Sequence, residues 1–206
     1  METQTIIQEL ERSANGLAET GLDALIEKIK ASQRVFVYGT GRSGLMLKAF
    51  AMRLMQLGLT SYVVGETTTP SIEKGDLLIV SSASGETASV CTTAQSALRQ
   101  GAELAMITSA PKSTLGRLQA PDIVIEAATK FSTSQASVQP LGSLFEKMLL
   151  VLFDAVSLKM SQERQGGNEE MARNETRADC VVRFVVRRRR FSAGILCGLG
   201  GGSGFV

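Results

Sequence analysis

Histidine is absent from all 206 residues, which removes the commonest general acid/base and the commonest transition-metal ligand. Any chemistry must rest on carboxylates, lysines, hydroxyls or backbone dipoles. The three cysteines, Cys91, Cys180 and Cys197, are odd in number and far apart, without a C-x-x-C pair, so they indicate neither a disulfide framework nor a zinc cluster. No metal site is expected. There is no run of about 18 apolar residues, and the opening METQTIIQELERS lacks the basic-then-apolar order of a secretion signal. We therefore expect a cytoplasmic protein with no membrane contact. The formal charge of +2 misleads, because seven of the 22 basic side chains, against two of the 20 acidic ones, fall in residues 171–206. Residues 1–170 are net negative by three, which is not the footprint of a nucleic-acid-binding body.

What is present is a repeated theme. Residues 3–30 carry apolar positions at helical spacing, interrupted at Gly16 and Gly21, and predict one or two amphipathic helices. From RVFVYGTGRSG onward, short apolar β-rich runs alternate with glycine or serine turns and helical stretches. Strands are predicted near 34–38, 61–64, 77–81, 103–108 and 122–125. Helices are predicted near 43–57, 87–100, 113–119 and 141–160. Such alternation implies right-handed crossovers and a parallel sheet covered on both faces. Gly58 and Gly101 stand where helix C-caps are expected. Residues 174–206, with VVRFVVRRRR and then FSAGILCGLGGGSGFV, match neither period and read as an atypical Arg/Gly-rich tail without order.

Ligands of such sheets bind beyond the carboxyl ends of the strands, where helix N-termini point outward. Two turns have that placement. Gly39-Thr40-Gly41-Arg42-Ser43-Gly44 has the spacing of the dinucleotide pattern G-x-G-x-x-G, but that pattern also wants an acidic residue closing the second strand, and Glu66 comes a little beyond YVVG. Ser82-Ala83-Ser84-Gly85-Glu86-Thr87 offers three hydroxyls and a glycine at a strand-to-helix junction, enough donors for a phosphomonoester without lysine or metal. One or two of those hydroxyls would serve equally as an N-cap. Later, PLGSLFEKMLLVLFDAV starts a helix at Pro140 to Ser143 and sets Glu146 in its first turn among apolar neighbours. That position suits a desolvated base, and suits equally a plain dipole-compensating acid.

GTGRSG, YVVGETTTPSIEKGDLLIVSSASGETASV and PLGSLFE together resemble the sugar isomerase (SIS) domain, and within it the 6-phospho-3-hexuloisomerases of the ribulose monophosphate pathway, over about residues 5–172. The resemblance implies a three-layer αβα sandwich with a five-stranded parallel sheet, a SIS domain over residues 1–173, and a homotetramer with active sites between subunits. It implies that Ser43, Ser82, Ser84, Gly85 and Thr87 bind the phosphate of a phosphosugar and that Glu146 is the catalytic base. Gly41, Arg42 and Glu66 are further candidate substrate contacts. Ala83 stands where the family more often has glycine. The reaction implied is interconversion of 3-hexulose 6-phosphate and fructose 6-phosphate through a cis-enediolate, which needs no cofactor. Family members end in a short histidine-bearing segment, whereas NEEMARNETRADC departs there. Two rival readings are a non-catalytic phosphosugar sensor and an isomerase of another phosphosugar such as arabinose 5-phosphate.

Overall fold

Five β-rich runs become strands that pair only in parallel: β1 (Val35–Tyr38), β2 (Ser61–Val63), β3 (Leu77–Ser81), β4 (Glu103–Thr108) and β5 (Ile123–Val124). The computed structural model describes residues 1–127, 137–163 and 169–175. Strand order is β2-β1-β3-β4-β5, the flavodoxin-like order, so the chain reverses direction across the sheet between β1 and β3. That reversal leaves a crevice where the turns after β1 and β3 diverge. The helices are α1 (Glu2–Asn15), α2 (Glu19–Ala31), α3 (Gly41–Gln56), α4 (Ala88–Arg99) and α5 (Ser143–Gln162).

Alternate strand residues feed two cores, because successive side chains of a strand point to opposite faces. Val35, Val37, Leu77, Ile79, Ala105 and Ile107 pack against α2, α3 and α5, where Phe50 and Phe153 stack with ring centroids 4.3 Å apart. Phe36, Leu78, Val80, Leu104 and Met106 face α4 and the segment around Leu115. The expected sandwich is therefore present, with a thick face of helices and a thin one. Among the described residues no helix is long and apolar enough to cross a membrane.

Two local expectations differ from the structure. The segment 3–30 splits into two helices at Gly16, but Gly21 lies inside α2. A Cβ on Gly21 would come 3.0 Å from the carbonyl oxygen of Asp122, so its role there is close packing and not interruption. The helix expected over 113–119 does not form, and residues 111–119 run as successive turns. Their polar groups bond to neighbours in place of a helical ladder: the Leu115 amide donates to the Gly85 carbonyl at 2.9 Å, and the Gly116 amide to Ser113 Oγ at 3.3 Å. A short helical segment at 169–175 runs through the expected boundary at residue 173, with Met171 packed on the main core and Asn174 Nδ2 donating to the Gln56 carbonyl at 2.8 Å. The order expected of the remaining tail, from residue 176 on, lies outside the described residues.

Candidate active site

Three helices begin at one place. Thr40, Thr87 and Gly142 precede α3, α4 and α5, and none of the three makes a side-chain capping hydrogen bond. Apart from Ser143, whose amide donates to the Pro140 carbonyl at 3.2 Å, the first-turn amides are left for another acceptor, and the positive ends of three helix dipoles converge. Between them lies a cavity of about 310 Å³ lined by Thr40, Ser43, Ser81, Ser82, Ala83, Ser84, Thr87, Gly142, Phe145 and Glu146. Uncapped helix starts around a hydroxyl-lined cavity suit a compact anion.

The turn after β1 is shaped by close backbone approach. A Cβ on Gly44 would sit 2.4 Å from the Gly39 carbonyl oxygen, and one on Gly39 would sit 2.7 Å from a methyl of Leu47. Only glycine allows α3 to start so near β1. Gly41, with φ +57°, turns the chain into the helix, and Ser43 then faces the cavity. Arg42 reaches across to α5, where its Nε donates to Glu146 Oε2 at 2.5 Å. The guanidinium is 61% exposed and the carboxylate 8%, so the pair spans the boundary between solvent and cavity. The guanidinium fixes the carboxylate in place at the cavity wall.

The turn after β3 is held by its own hydroxyls. The Gly85 amide donates to Ser82 Oγ at 3.1 Å, Ser82 Oγ and Thr87 Oγ1 lie 3.1 Å apart, and the Glu86 amide donates to Ser84 Oγ at 3.3 Å. The amides of Ala83, Ser84 and Thr87 donate to no acceptor among the described residues. Beneath the turn, the Gly85 φ of +63° and a site where a Cβ would meet Ser113 Oγ at 1.9 Å permit only glycine. Glu86 fixes the turn from outside, accepting from the Thr114 hydroxyl at 2.6 Å and the Thr114 amide at 2.8 Å. Those two bonds hold the Glu86 carboxyl below its usual range.

Ser43, Ser82, Ser84, Thr87 and Glu146 therefore share one cavity although they come from three elements separated by up to about a hundred residues. Gly85 shapes the turn from behind, and Gly41 and Arg42 stand at the rim. Glu66 is elsewhere: its carboxylate pairs with Lys48 Nζ at 3.1 Å and lines a separate groove between the β2–β3 connection and α4. Thr40 and Ser81 line the cavity without having been singled out in the sequence. The helix predicted near 43–57 left Thr40 within the preceding turn, whereas α3 starts at Gly41 and makes Thr40 its N-cap position; Ser81 read as the end of an apolar strand. Among the described residues no three His, Cys, Asp or Glu side chains cluster as metal ligands.

The sequence matches the SIS domain over residues 28–153. A 3-hexulose-6-phosphate isomerase of Bacillus subtilis is 41% identical over 169 residues, covering 81% of this chain and 91% of that one. One of Mycobacterium gastri is 45% identical over 148 residues, covering 71% and 74%. The crystal structure of a Methanococcus jannaschii protein, from which a molecular function of 3-hexulose-6-phosphate isomerase was inferred, superposes with a TM-score of 0.70 at 32% identity, covering 84% of this chain and 96% of that one.

Proposed function

The chain belongs to the SIS domain family, and from that premise we propose that it is an isomerase interconverting 3-hexulose 6-phosphate and fructose 6-phosphate. The observation that carries the reading is the meeting, in one cavity of about 310 Å³, of a donor-rich cradle and the buried, arginine-bonded carboxyl of Glu146. The phosphate occupies the turn after β3, bound by the hydroxyls of Ser43, Ser84 and Thr87 and by free amides, with Ser82 holding the turn in shape. Fixing that end places the sugar carbons toward α5 and makes proton transfer an intramolecular step.

In 3-hexulose 6-phosphate the carbonyl is at C3, and C2 bears the hydrogen that must move. Glu146 takes the C2 proton as the C2–C3 double bond of the enediolate forms. It then returns the proton to C3, while the C2 hydroxyl proton passes to the C3 oxygen, leaving the carbonyl at C2. A positioned general base of this kind contributes about 10²- to 10⁴-fold. Arg42 orients the Glu146 carboxyl through its Nε donor and stands at the rim, where it can stabilise enediolate charge.

The same proposal includes a cytoplasmic homotetramer with sites completed by neighbouring subunits. Its support is an apolar outer face on α3 and α5, where Leu45, Met52, Val151 and Leu158 are exposed on two helices that pack against each other. Purified protein given 3-hexulose 6-phosphate should produce fructose 6-phosphate, and light scattering should return the tetramer mass. Binding of both sugar phosphates without turnover would replace the isomerase with a phosphosugar sensor.

A further inference from the structure

We propose that Ser81 is a substrate-contacting residue, its hydroxyl bonding an oxygen on the C2–C3 edge of the bound sugar. This rests on the isomerase reading above. Ser81 ends β3 after four apolar residues, Leu77 to Val80, and is 1% exposed. At such a position alanine or valine would satisfy the strand, yet a hydroxyl stands there. Its Oγ is shielded and has no hydrogen-bond partner among the described residues. Among the described residues the only other side-chain polar atom in that state is Ser109 Oγ, which does not line this cavity. Buried polar groups are almost always bonded, so an orphan in a ligand cavity points to the ligand as its partner.

Direction identifies which part of the ligand. Side chains alternate along β3, so Ser81 faces the same side as Leu77 and Ile79, the side of α3 and α5. Phe145 and Glu146 bound the cavity there. The next serine is occupied differently, since Ser82 Oγ accepts from Gly85 and meets Thr87 Oγ1 within the phosphate turn. Two adjacent serines thus serve the two ends of one ligand. Ser82 supports the phosphoryl grip, and Ser81, on the α3 and α5 side of the strand, lines the same cavity as Phe145 and Glu146. An O–H at this position can donate to the oxygen that gains charge as the enediolate forms, an interaction stronger in the transition state than with the ketose.

The test is Ser81→Ala in the full chain, with melting temperature, kcat, KM and the inhibition constant of inorganic phosphate measured together. Loss of one donor to a developing charge predicts a fall of about 10- to 100-fold in kcat/KM, most of it in kcat. Phosphate inhibition should stay within about twofold and the melting temperature should not drop, because no protein group loses a partner. Ser81→Cys, similar in size with a weaker S–H donor, should fall between. Wild-type kcat/KM in a folded Ser81→Ala protein would overturn the assignment while leaving the isomerase intact. An equal loss of phosphate binding would also overturn it, since the residue would then only shape the turn. Should the wild type bind sugar phosphates without turnover, the isomerase reading fails separately, and affinities decide this one. Ser81→Ala must then weaken fructose 6-phosphate about tenfold and inorganic phosphate not at all, and equal weakening or none would refute it.

Discussion

The turns after β1 and β3 occupy equivalent places in the sheet and start equivalent helices, yet they are built from opposite materials. The first is rigid through close packing of bare backbone at Gly39 and Gly44, and it carries one cation, Arg42, which is committed to Glu146. The second is rigid through cross-bonded hydroxyls and carries no cation at all. The difference shows how an anion is handled without a lysine. On the proposed function, three convergent helix starts and several neutral donors would hold the phosphate, leaving the Arg42 guanidinium to pair with Glu146. Were Arg42 drawn into the cradle, phosphate would compete with Glu146 for the guanidinium and would leave the base without its partner.

This contrast can be broken at either turn. The largest effect is expected at the base: Glu146→Gln should lower kcat by about 10³-fold, the middle of the range for a positioned general base, while inorganic phosphate still binds. Loss of phosphate binding in that variant would mean that the two halves of the cavity are not separable. Next, Gly85→Ala should destabilise the fold by at least about 2 kcal/mol in denaturant melts, because the new Cβ meets Ser113 at an unfavourable positive φ. Its phosphate affinity should fall with the turn. Thr87→Val keeps the shape and deletes one donor, and should raise the phosphate inhibition constant by about two- to tenfold with kcat nearly unchanged.

The smallest effect on the site should come from Asp76, far from both turns, which tests whether stability and chemistry are separate. Burial pushes its carboxyl up, but the Arg34 guanidinium, bonded at 2.6 and 2.8 Å, and the Glu73 amide more than offset this and hold it below its usual value. A lowered folded-state value means that the stabilisation is fully present above the ordinary carboxylate range and disappears as pH falls through the lowered one. Asp76→Asn should therefore melt lower than wild type at neutral pH, with the gap closing in acid. The KM should be unmoved.

Much of this was legible before any coordinates. Apolar runs punctuated by glycine fixed the strand positions, since fully buried parallel strands leave no polar alternation to confuse them, and Gly58 and Gly101 marked two helix ends with φ of +79° and +80°. The hydroxyl cluster at 82–87 raised the reading of an anion cradle beside that of an N-cap, because a cap needs fewer donors. The turns at 111–119 were not legible, because the Gly85 carbonyl and the close approach of Gly116 to Pro111 decide that segment, and both are tertiary. Nor was the Arg42–Glu146 pair, whose partners are 104 positions apart. Ser81 was hidden for a different reason: in a sequence, an orphan hydroxyl looks the same as a satisfied one.

The most direct measurement is exchange of the C3 hydrogen of fructose 6-phosphate with solvent deuterium, followed by NMR for wild type and Glu146→Gln side by side. Wild type should exchange that hydrogen as 3-hexulose 6-phosphate forms, and Glu146→Gln should bind the sugar phosphate and leave the hydrogen in place. Exchange at the wild-type rate in Glu146→Gln would contradict the assignment of the base and, with it, the role given to the whole cavity.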